Sequence, residues 1–251
     1  MSLEVEYMRW LVLIAIPLHI FAGYTILLTA PDTESNKDKI RNGLLEFTGD
    51  FDKVDWWNMN TSGQPALQDI IDYDALVTWS SNHHPFPEPA VWGDTLADYV
   101  DGGGRVIICT YAFYGGSEFT IGGRILEEGY SPLLPETGTH NQWDEIDFSN
   151  PDEEDHPIIE GTNYLGSAFR DYVALADWGN LLVHWGYDGE EAVAYNDSHT
   201  VVSISCYAGH AGSYSDWDGD YPLPMRNALV WICQNIPVET SSIGEVKSLF
   251  H

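Results

Sequence analysis

The chain has 251 residues, 44% of them hydrophobic and 13% aromatic, enough apolar side chain to close a sizeable core and to exclude a disordered polypeptide. Against 39 acidic residues stand 10 lysines and arginines, giving a formal net charge of −29. A field of that sign repels phosphate backbones and anionic headgroups, so nucleic acid is excluded as a natural partner, while cation binding, solubility in salt and cation-dependent assembly are all favoured alike.

From Trp10 to Ala30 the residues WLVLIAIPLHIFAGYTILLTA are apolar, interrupted by Pro17, His19 and Gly23. Positions 1–23 read in one of two ways. As a signal peptide they have Met8-Arg9 as the positive start, Trp10 to Ile20 as the apolar stretch and Ala22 or Gly23 near the cleavage point. As an uncleaved anchor they are the only route by which this chain meets a membrane. Either reading places the protein outside the cell or at its surface. Two Asn-x-Ser/Thr sequons, at Asn60 and Asn196, fit that location. Positions 24–237 then form the main domain. Positions 238–251, with Ile243, Val246, Leu249 and Phe250 in a polar tail, read as a linker or a docking segment.

YTILLT reads as a buried parallel strand, followed by a helix over DTESNKDKIRNGLLEF with Thr33 or Ser35 as N-cap and Ile40, Leu44, Leu45 and Phe47 as its apolar stripe. FDKVDWWNM gives a second strand and Ala75 to Trp79 a third. The helix PAVWGDTLADYVD is stopped by Gly102-Gly103-Gly104, and a fourth strand follows from Arg105 to Cys109. Strands separated by helices, without hairpin turns, predict an α/β fold with a parallel sheet covered on both faces. Tyr114 to Glu160 is rich in Gly, Pro and acids and reads as a solvated loop. YVALA, NLLVHWG, EAVAYN and TVVSISCY follow at close spacing and predict an antiparallel extension. PMRNALVWICQNI closes the domain as a helix.

Open parallel sheets bind ligands at the carboxyl ends of their strands. That rule selects Asp32 after the first strand, Asn82, His83 and His84 after the third, and Thr110 and Tyr111 after the fourth as ligand-binding candidates. SDWDGDY places Asp216, Asp218 and Asp220 at alternate positions around Gly219, part of the spacing of a calcium loop without its downstream bidentate Glu. The turn reads as an acidic surface turn with no cofactor, and Ca²⁺ is the alternative it leaves open. His140, Asp144 and Glu145 form a weaker cation cluster. Cys109, Cys206 and Cys233 lie in apolar runs and read as buried thiols. Tryptophan is abundant, and packing takes precedence over sugar stacking as its use.

The succession DYDALV, PAVWGDTLADYVDGGGRVIICTYAF, DHPIIEG, GNLLVHWGYDGEEAVAYN, TVVSISCY and RNALVWI resembles the class I glutamine amidotransferase-like superfamily, especially its trehalose-utilisation-type branch, over about Tyr24 to Asn235. The resemblance implies a flavodoxin-like sheet sandwiched by helices, with a ligand crevice at the strand ends. Catalytic members carry a cysteine on a sharp strand-to-helix turn flanked by small residues, with a histidine base. Cys109 and His210 stand in those places along the chain. Ile107 and Tyr111 stand where small residues are needed, however, and the nearest carboxylate after His210 is Asp216. The expectation is an exported, non-catalytic module that binds a carbohydrate or other small ligand, or other protein subunits of a surface assembly. The alternative is a hydrolase or amidotransferase dependent on Cys109 and His210. The charge excess makes one prediction directly: melting temperature, followed by calorimetry, rises with added NaCl or CaCl₂ as repulsion is screened. A site at Asp216, Asp218 and Asp220 further requires calcium to outperform magnesium at equal ionic strength.

Overall fold

The computed structural model describes residues 23–210, 212 and 216–235. The signal-or-anchor segment up to position 22 and the tail from 236 onward lie outside the described residues. Among those described, no helix is long and apolar enough to cross a membrane.

The first half alternates as its sequence predicts: β1 (Tyr24–Ala30), α1 (Asp38–Leu45), β2 (Phe51–Asn58), two one-turn helices α2 (Met59–Ser62) and α3 (Leu67–Ile70), β3 (Ala75–Thr78), α4 (Pro89–Asp101) and β4 (Val106–Thr110). Strand periodicity divides the core between two layers. Ile26 and Leu28 of β1 and Ile107 and Cys109 of β4 pack with Ile40 and Leu44 of α1 and with Leu229 and Ile232 of the final helix, α5 (Pro222–Gln234). Leu27, Val106 and Ile108 pack on the opposite face with Trp92, Leu96 and Tyr99 of α4. Gly93 lets α4 lie against the Gly122 carbonyl, a position where any Cβ would collide with that oxygen. The helix after β1 starts later than Thr33 or Ser35 would have it. Asp32 takes the Thr33 amide instead, and the chain turns through Asn36 before helix geometry begins at Asp38.

In the second half the chain runs β5 (Leu133–Glu145), β6 (Leu165–Leu175), β7 (Gly179–His184), β8 (Glu191–Asn196), β9 (Val201–Tyr207) and β10 (Trp217–Gly219). The main sheet has seven strands in the order β2-β1-β3-β4-β9-β8-β7. β9 lies parallel to β4, and only β8 and β7 extend the sheet antiparallel, which corrects the expectation that TVVSISCY is part of the extension. The first five strands thus follow the doubly wound flavodoxin-like order, with its reversal between β1 and β3. A second correction concerns Tyr114 to Glu160, which is not all loop. β5 supplies 13 residues to a separate antiparallel sheet, β10-β6-β5. Its sequence, LLPETGTHNQWDE, hides the strand because most of its residues are half-buried or exposed and its pairing with β6 is interrupted twice by register shifts.

The sequon at Asn196 is sealed inside the fold. Its amide donates to the Gly129 carbonyl and to the Ser198 and Thr200 hydroxyls, and its oxygen accepts the Thr200 and Val201 amides. Asn196 is a turn lock joining β8 to β9, and Asn60 is the exposed sequon. Asn196→Ala leaves these buried partners unmet, and chemical denaturation should show a loss of about 2–3 kcal/mol.

Candidate functional site

The carboxyl ends of β1, β3, β4 and β9 meet at a cavity of about 160 Å³, lined by Asp32, Thr33, Asn36, Ser81, Asn82, His83, His84, Tyr111, Phe169, Tyr207 and Asp216. Five of the six predicted ligand-binding residues line it together: Asp32, Asn82, His83, His84 and Tyr111. Thr110 does not. It is the last residue of β4, fully buried, and its hydroxyl faces the Asp171 carboxyl beneath the cavity floor.

Asp32 is 1% exposed and fully engaged. One carboxylate oxygen accepts from the Thr33 amide at 2.7 Å and the Asn36 side chain at 2.7 Å. The other accepts from the Trp79 indole at 2.8 Å and the Tyr207 hydroxyl at 2.7 Å. Trp79 is in turn stacked on Trp56, with ring centroids 5.5 Å apart. Gly209 keeps this knot open, since a Cβ there would strike the Tyr207 ring and crowd the carboxylate. Burial and the Asp32 charge both push the Tyr207 phenol well above its ordinary range, so it stays a donor.

The loop after β3 is a tight turn in which Ser81 and His84 bridge each other, at 3.4 and 3.2 Å, and Asn82 and His83 stand exposed at the apex. On the far wall, Tyr111 packs against Tyr207 at 5.5 Å and Phe169 at 5.9 Å. The lining therefore combines aromatic surface, carboxylates, two amides and imidazoles. It offers both donors and acceptors to a small polar molecule.

The fold is shared with a cytoplasmic protein from Salmonella typhimurium. That structure matches at a TM-score of 0.55 and 12% identity, over 84% of this chain and 97% of its own. Two others are similar at lower scores. A protein from Thermoplasma acidophilum, described as a GMP synthase subunit, has a TM-score of 0.49 and 10% identity over 90% of this chain and 98% of its own. A glutamine amidotransferase from Methylobacillus flagellatus has a TM-score of 0.44 and 10% identity over 86% and 93%. No protein-family profile and no curated protein matches the chain.

Cys109 and His210 are not brought together. Cys109 lies within β4, not on a turn after it, and its side chain points into the α1 and α5 layer. There the Tyr221 hydroxyl sits 3.5 Å from its sulfur, and burial pushes the thiol up to about 12. The residue that β4 delivers to the crevice is Tyr111. His210 instead accepts the Gly212 amide on Nδ1, stands 3.6 Å from Asp216 and meets Trp217 edge-on. Burial, with the nearby Lys39 charge, holds its pKa below the ordinary histidine range.

The three aspartates of SDWDGDY also diverge. Asp216 faces the crevice, Asp218 caps the Gly219 amide and Asp220 accepts the Asn163 amide. Asp144 likewise turns away from His140, to Arg170 and the Tyr187 amide. Trp79, Trp92, Trp185 and Trp217 are buried packing residues. The sequence reading missed Asn36, Tyr207 and Phe169. Tyr207 ends a parallel strand, so the strand-end rule would have found it had β9 been assigned to the parallel set. Phe169 arrives from the other sheet without any local signal.

Beneath Tyr111, Asp171 is completely buried and accepts the Phe113 amide at 3.0 Å. Burial pushes its carboxyl up to about 7, against about 3.9 in an unfolded chain. Between those values the folded state keeps a proton that the unfolded state has released, so stability falls as pH rises from 4 to about 7 and then levels. Asp171→Asn removes that loss while retaining an acceptor for Phe113. Its melting temperature should exceed the parent's by on the order of 5 °C at pH 8, with the gap closing near pH 4.5.

Proposed function

We propose that this chain is an amidotransferase-like binding module, acting outside the cell or at its surface, whose strand-end crevice holds a small polyhydroxylated ligand of the carbohydrate class. The observation that carries the reading is the contrast at β4: a polar, aromatic-walled cavity is lined by Tyr111, while the only cysteine of that strand is fully buried beneath it against the Tyr221 hydroxyl. Hydroxyl groups both donate and accept, which suits a lining of Asp216, Asn82, His83 and His84, and Tyr111 with Phe169 offers apolar surface to a sugar ring. Asp32 acts as organiser, since its oxygens are already taken by four donors. The apolar run from Trp10 and the strongly acidic composition support export. The size of the cavity favours one sugar unit over a buried polymer.

Calorimetric titration with a panel of mono- and disaccharides, and with glutamine, tests this. Saturable sugar binding that Asn82→Ala or His84→Ala weakens at least tenfold, with melting temperature unchanged, is the expected result, because Asn82 is exposed and His84 only half-buried. Glutamine or ester turnover abolished by Cys109→Ala would replace this reading with the Cys109–His210 enzyme.

A further inference from the structure

A second constellation lies away from the crevice, where the two sheets meet. β5 places His140 directly opposite Arg170 of β6, and the turn between β7 and β8 brings Asp188 and Glu190 against them. His140 Nε2 is 3.2 Å from a Glu190 carboxylate oxygen and 3.8 Å from one of Asp188, and the three atoms lie within 4.8 Å of one another. Ligands bound at about 2.1 Å to one ion stand roughly 3 to 3.5 Å apart. The two distances from His140 are within a few tenths of an ångström of that spacing, and the two carboxylates, within 4.8 Å of each other, close on an ion by about 1 Å at most. Among the described residues this is the one group of histidine and acid side chains with such spacing.

Two features distinguish it from an ordinary surface ion pair. The side chains are sheltered, at 13%, 25% and 26% exposure, and one ligand is already oriented. Arg170, 2% exposed, clamps Asp188 through two hydrogen bonds of 2.9 and 2.7 Å and reaches Asp144 at 3.2 Å, while the His140 ring rests on Tyr172. This is the outer-shell arrangement that holds a ligating carboxylate in place. Arg170 pairs with Asp144 and Asp188, and Glu190 pairs with His140, so three carboxylates share one guanidinium and one imidazole.

We propose that His140, Asp188 and Glu190 form a binding site for a divalent transition-metal ion of the zinc class, joining the three-stranded sheet to the main sheet. One imidazole nitrogen with two carboxylate oxygens suits zinc, manganese or cobalt, whereas calcium and magnesium take oxygen ligands. Three protein ligands leave at least one position for water or an external ligand. A metal here stiffens β6, which also carries the crevice residue Phe169, yet the site does not depend on what the crevice binds.

The full chain, stripped with EDTA, is titrated with Zn²⁺ by calorimetry and with Co²⁺ by visible absorption. The expected result is one ion per chain, a raised melting temperature and a cobalt spectrum with nitrogen and oxygen ligation. His140→Ala and the isosteric Glu190→Gln should each weaken binding at least tenfold, while a His83→Ala/His84→Ala chain binds as before. Zinc binding that survives His140→Ala and Glu190→Gln, or is lost in the His83/His84 variant, overturns the proposal. So does the absence of saturable binding, or calcium binding as tightly as zinc.

Discussion

A carboxylate buried among neutral donors holds the working end of this molecule together. Removing Asp32 from water costs several kcal/mol unless its oxygens are met, and here a backbone amide, an asparagine, an indole and a phenol meet them. Those donors come from the turn before α1, from the end of β3 and from the end of β9. One side chain therefore ties three separate strand ends and fixes the reversal point of the sheet. The neighbouring Asn60 side chain adds a bond to the Asp32 carbonyl. The cavity lies beside this knot, and Asp32, Asn36 and Tyr207 are part of its lining.

The same strand geometry decides which chemistry β4 can present. Successive residues point to opposite faces, so Ile107 and Cys109 belong to one layer, and Val106 and Ile108 to the other. A thiol one residue before the last of the strand is committed to the α5 layer, where Tyr221 covers it and water cannot stabilise a thiolate. The turn beyond the strand carries Tyr111 into the crevice. One strand thus gives a buried thiol to the core and an aromatic side chain to the crevice.

The antiparallel sheet completes what the parallel sheet begins. It supplies Phe169 to one wall of the cavity, and the segment entering β10 supplies Asp216. It also buries Asp171 under Tyr111, a group whose proton is kept by burial alone. On its outer side, Arg170 and His140 meet the β7–β8 turn, so the crevice wall and the charged cluster are opposite faces of one strand pair, β5 and β6.

The sequence by itself determined the alternation of strand and helix up to β4, the closing helix, and the loops that bear Asp32, Asn82, His83, His84 and Tyr111. These follow from local periodicity and from the strand-end rule, which need only order along the chain. It could not show that LLPETGTHNQWDE is a strand, because that strand is held by its partner β6 and not by its own apolar pattern. Nor could it separate β9 from the antiparallel strands before it, since parallel and antiparallel neighbours share the same composition when both are buried. The pairings of Asp32 with Tyr207, of His140 with Glu190 and of Cys109 with Tyr221 join residues distant in sequence. Tertiary packing alone decided them, because only the folded chain sets which side chains share a dry neighbourhood and which of their hydrogen bonds must be met there.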